Sequence, residues 1–150
     1  MSKFSKRIIS VALPFFSAWV VAFVLASIFH SVFVLRGLTQ INIKIAHSDA
    51  LSMIASDLLG LLPTYGVIIA IALSLAFVFT RYVIVKSEHR NLRNILLYTL
   101  SGALAFLVML SAMQPVLNVT LIAGARTCLG VLAQCLAGAM GGALFAKLKQ

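Results

Sequence analysis

Carboxylates are nearly absent from this chain: Asp49, Asp57 and Glu88 are the only three, set against twelve Lys and Arg. Charged residues of both signs reach 10% of 150, where a soluble domain carries roughly 25%. With 62% hydrophobic residues and a mean hydropathy of +1.10, the chain has too few polar groups to cover a surface in water. A soluble fold is therefore excluded, and lipid must be part of the solvent. Cysteine is scarce too. Cys128 and Cys135 stand seven residues apart in one apolar run, roughly 10 Å along a helix axis. That is too far to bridge, and no CxxC motif is present, so neither a disulfide framework nor thiol redox chemistry is indicated. No low-complexity linker and no repeat with a period of 20–50 residues interrupts the chain, which reads as one domain over residues 1–150.

What is abundant is apolar sequence in long runs. Four of them, over residues 8–29, 63–80, 95–113 and 126–146, hold no Asp, Glu, Lys or Arg except Arg126 at an end. At ~1.5 Å per residue each suits a hydrocarbon core of ~30 Å. The first run is longer than the core of a cleaved signal peptide, and Ala26-Ser27-Ile28-Phe29 is a poor cleavage site, so a retained helix is expected. Pro14 should bend it slightly. The fold class that follows is all-α: an integral membrane four-helix bundle.

The net charge of +9 does not form a nucleic-acid face. The basic residues flank the apolar runs. With the N-terminus inside, Lys3, Lys6, Arg7, Arg81, Lys86, Arg90, Arg93, Lys147 and Lys149 fall on the cytoplasmic side, and only Arg36, Lys44 and Arg126 on the other. This bias predicts a cell (inner) membrane protein with both ends cytoplasmic. Tyr82 and Tyr98 flank the inner loop, where amphipathic rings favour the interface, whereas Trp19 lies deeper and should pack.

The segment from His30 to Leu62 is too long for a turn and too apolar for a solvated loop. Residues 31–37 either prolong the first helix or lie at the interface. Ile41, Ile43 and Ile45 alternate with polar residues, a period of two. After Ser48 or Asp49 as cap, Leu51, Ile54, Ala55, Leu58 and Leu62 line one helical stripe. An additional short amphipathic helix in this outer loop is expected, joined by an elbow at Gly60 and Pro63 to the second span.

Chemistry is sparse. Gly130, Gln134, Gly138 and Gly142 recur every four residues in the last run, broadened by Ala137 and Gly141. Small residues at that spacing let helix backbones approach closely. Matching ladders are Ala18, Ala22 and Ala26 in the first run and Gly66, Ala70 and Ser74 in the second. They serve either packing within the bundle or a homo-oligomer seam. Gln134, in mid-helix, must hydrogen-bond across helices or face a substrate path. The outer side gathers His30, Asp49, Asp57 and Arg126 into a candidate polar cluster, in which Asp57 is the natural ion-pair partner of Arg126. His30 and His47 lack metal-site spacing, and no cofactor or metal is expected.

Other small four-span proteins need chemistry this chain lacks. Multidrug transporters place a carboxylate in helix one, and lipoprotein signal peptidases use two separate outer aspartates in characteristic motifs. Disulfide-forming membrane enzymes need cysteine pairs. The basic stretch from Glu88 to Arg93 lacks the acid that completes a glutathione-enzyme motif, and the sequon at Asn118 lies close to the membrane. Three functions follow in order. The first is a non-catalytic accessory or assembly component, alone or in a larger membrane complex. Next comes a homo-oligomeric channel or small-solute transporter. Last is an enzyme acting at outer headgroups through Asp57, His30 and Arg126.

Overall fold

The computed structural model describes residues 3–40, 47–85, 91–117 and 127–149. They form five helices: α1 (Lys3–Gln40), α2 (His47–Leu61), α3 (Val67–Val85), α4 (Asn91–Leu117) and α5 (Cys128–Leu148). Four helical stretches are long and apolar enough to cross a membrane: Ser10–Thr39, Asp49–Val83, Arg93–Met113 and Cys128–Leu148. An all-helical bundle with four such helices is thus the architecture.

Helix α1 continues through residues 31–37 to Gln40, one of the two courses expected, with the buried Pro14 inside it. One boundary differs from that expected, the separate helix with an elbow at Gly60 and Pro63. Helix α2 runs into α3 through one π-helical turn, Leu62–Gly66, and both Leu61 and Val67 keep right-handed helical backbone angles. Pro63 falls in the first turn of this π segment. A proline inside a continuous helix removes one backbone donor, and the wider π-helical turn is where the helix accommodates it. The alternating segment Ile41–Ile45 lies outside the described residues.

Helix α5 turns small residues inward and large ones outward over most of its length. Along α5 the exposed side chains are Leu129, Leu132, Leu136 and Met140, spaced three or four apart on one stripe, while Gly130, Gln134, Gly138, Gly141 and Gly142 are buried. Leu59 is 77% exposed and Phe79 70%; in water such a surface would be an aggregation patch, and in lipid it is the natural outside. Helix α5 lies between α1 and α4. On one side Gly141 meets Ala18 and Ala22 of α1; on the other, Gly138 meets Gly102 and Gly142 meets the Tyr98 carbonyl of α4. Helix α3 joins α4 where Ser101 Oγ donates to the Ala76 carbonyl, 3.1 Å away. Thr127 caps α5, its hydroxyl accepting from the Gly130 amide at 3.1 Å.

Aromatic rings fill the end of the bundle where α1 begins and α5 finishes. Phe77 stacks on Phe145 with centroids 4.5 Å apart, and Tyr98 meets both rings edge-on at 5.6 and 5.1 Å. Tyr98 is therefore buried rather than at an interface. Its ring packs with the others while its hydroxyl accepts from Lys149 Nζ at 2.9 Å, satisfying both parts of the side chain. Trp19 packs as expected, its indole N–H donating to the Gly66 carbonyl at 2.8 Å.

The glycine contacts give a direct stability prediction. A Cβ at Gly138 would collide with the Gly102 carbonyl and the Phe106 ring, whereas one at Gly60 meets nothing within 4 Å. Gly138→Ala should cost about 1–3 kcal/mol through forced separation of α4 and α5. Gly60→Ala should be neutral or stabilise by up to ~1 kcal/mol. Unfolding midpoints in mild detergent check the pair, and equal midpoints would refute the contact.

Candidate functional site

A hydrocarbon interior leaves polar side chains two outcomes: pair with each other, or line a cavity. Two polar groupings lie inside this bundle. The deeper one centres on Gln134, 1% exposed on α5. Its amide oxygen accepts from the Tyr65 hydroxyl at 3.0 Å, and its amide nitrogen donates to the Ala26 carbonyl at 2.9 Å. One side chain thus ties α5 to α1 and to the π-helical turn. Both ends of the amide are occupied by protein, which is the arrangement of a fastener between helices.

The second grouping lies about 7–8 Å further along α1. Ser27, His30 and Ser31 share one stripe of that helix, and all three are buried. Ser31 Oγ lies 2.7 Å from Asp57 Oδ2 and 3.1 Å from the Ser27 carbonyl. A hydroxyl has one proton, so the closer, charged acceptor takes it. Asp57 also acts electrostatically on His30. The Ser27 hydroxyl is fully buried and has no hydrogen-bond partner among the described residues.

The sequence-predicted cluster is thus partly assembled. Asp57 of α2 reaches, through Ser31, the α1 stripe that carries His30. Asp49 stands exposed in the first turn of α2, some 12 Å along the helix from Asp57, and the two do not form a carboxylate pair. Arg126, and with it the expected ion pair to Asp57, lies outside the described residues. Among the described residues no three of His, Cys, Asp and Glu converge. Sequence reasoning missed Ser31 and Tyr65, the partners of Asp57 and Gln134. Ser31 stands four residues after Ser27, a spacing that puts both on one face, and that was the available signal. Gly102, the counterpart of Gly138, was missed because it stands alone in its helix and makes no ladder.

An apolar concavity lies elsewhere. Between α3 and α4 an apolar groove of about 790 Å³ runs from Ile68 to Val83 on one wall and from Leu97 to Met113 on the other. Ala72, Ala76, Ser101 and Ala105 give it small side chains, and the exposed Leu75, Phe79 and Leu104 flank them. Its two hydroxyls, on Thr80 and Ser101, both donate to the Ala76 carbonyl. The groove therefore offers shape and apolar contact without a polar handle.

This fold defines a class: a helical bundle with four helices able to cross a membrane, fastened inside by a few side-chain hydrogen bonds. Compared with protein-family models, curated proteins and solved structures, the chain matches none.

Three substitutions test these two groupings. Tyr65→Phe and Gln134→Leu, combined in a double-mutant cycle, should show coupling of about 0.6–1.7 kcal/mol. Ser27→Ala removes an unsatisfied hydroxyl and should leave stability unchanged or raise it by up to ~1 kcal/mol. Detergent unfolding reads both, and a clear loss in Ser27→Ala would reveal a partner for that hydroxyl.

Proposed function

We propose that the chain is a non-catalytic accessory or assembly subunit of a membrane complex, held in the inner membrane with both ends cytoplasmic. The observation that carries this reading is the groove between α3 and α4. Its walls span about 22–24 Å of helix, longer than one leaflet of ~15 Å and about three quarters of a hydrocarbon core of ~30 Å. A single acyl chain reaches across one leaflet only, whereas a transmembrane helix of a partner matches the whole length. Small residues in the groove permit the close backbone approach on which helix association in lipid depends. The cytoplasmic placement of the ends rests on the distribution of basic residues.

The interior supports the same reading over catalysis or transport. Gln134 and Asp57 are each engaged by protein groups, and α4 and α5 meet at backbone contact where a polar path would have to pass.

A photo-crosslinking residue placed at Leu75, beside the groove, should capture a distinct membrane protein in native membranes. The same residue at Leu132, on the lipid face of α5, should not. Ala105→Leu should lower the Leu75 adduct several-fold, reflecting about 1–3 kcal/mol of overpacking. Lipid adducts alone, or the same adducts from both positions, would overturn the proposal. A product of twice the chain's mass would point to a homo-oligomer.

A further inference from the structure

We propose that the pocket at the end of the bundle bearing both termini binds a phosphoryl anion, as carried by an anionic lipid headgroup or by free phosphate. This pocket, about 550 Å³, is lined by Ser10 and Val11 of α1, Arg81 of α3, and Leu148 and Lys149 at the end of α5. Three helices thus converge two cations and a hydroxyl around an opening that Val11 and Leu148 also line.

The cations are of different kinds. Lys149 is seated: its ammonium donates to the Tyr98 hydroxyl at 2.9 Å and lies 5.1 and 5.2 Å from the Tyr98 and Phe145 ring centroids. An ammonium has three donors, so this seat fixes its position while leaving donors for an anion. Arg81 is exposed, and its planar guanidinium offers paired N–H groups that match phosphate oxygens. Among the described residues the acids are Asp49 and Asp57, both of α2, and Asp57 bonds to Ser31 far along α1 from Ser10. Neither competes for these cations. The C-terminal ends of α3 and α5 bring partial negative charges of about half an elementary charge each, which two full cations outweigh. The pocket's position beside the apolar lipid-facing surface places any bound phosphate at headgroup depth, where basic pockets between helices recognise anionic lipids.

The test is native mass spectrometry of the full chain released from uncharged detergent. The probes are phosphatidylglycerol and phosphatidylcholine with identical acyl chains. Phosphatidylglycerol should be retained well over phosphatidylcholine, and Arg81→Gln and Lys149→Gln should each lower its binding about fivefold. Lys147→Gln, an exposed lysine outside the pocket, should change binding less than twofold. Arg81→Lys and Lys149→Arg should retain most of it. Ser10→Glu leaves both cations and the aromatic seat in place and should abolish binding, which keeps the test decisive if Lys149→Gln fails to fold. Displacement of the lipid by millimolar inorganic phosphate would identify a site for the free anion; persistence would identify the lipid as occupant. Equal retention of the two lipids would overturn the proposal, as would a loss in Lys147→Gln as large as in Lys149→Gln.

Discussion

The approach of α4 and α5 at backbone contact is the constraint on which the rest of the structure depends. Lipid tails are as apolar as leucine, so burying large side chains gains little, and helices associate through close packing and interhelical hydrogen bonds. Gly102, Gly138 and Gly142 remove the Cβ atoms that would hold these helices apart. Gly141 does the same on the opposite face of α5 against Ala18 and Ala22. A helix that is glycine-rich on two faces can serve two neighbours at once, and this makes α5 the centre of the bundle.

Once the backbones are that close, the few interior polar groups come within reach of partners. Gln134 spans from the Ala26 carbonyl to the Tyr65 hydroxyl because α1, α5 and the π-helical turn converge at its level. Asp57 meets Ser31 because α1 is long enough to run beside α2. The aromatic cluster of Phe77, Tyr98 and Phe145 closes the other end and holds Lys149 above it. Helices α3 and α4 are joined by the Ser101 hydrogen bond and the Phe77–Tyr98 ring pair, and the apolar groove opens beside them.

How far the sequence could be read depended on whether the signal was local. Apolar run length and composition are properties of one segment, and they sufficed to find four candidate membrane helices. The burial of Gly130, Gln134, Gly138 and Gly142 on one stripe follows from helical spacing alone. Helix ends were less legible. Pro63 and Gly60 resemble an elbow locally, yet Gly60 stays within α2 and Pro63 enters a π-helical turn whose Tyr65 and Gly66 are buried. Tyr98 looked like an interface ring from its place beside a basic loop, but its neighbours Phe77 and Phe145 come from other helices.

The sequence by itself determined an all-helical bundle with four helices apolar enough to cross a membrane, and the small-residue face of its last helix, because both follow from composition and a period of 3.6 residues. Only the tertiary structure decided which helices that face serves, and that Ser31 and Tyr65 are the partners of Asp57 and Gln134. It also brought Ser10, Arg81 and Lys149 to one pocket. Those pairings join residues 26 to 139 positions apart in the chain, and no periodicity within a single helix carries information about which other helix will lie beside it.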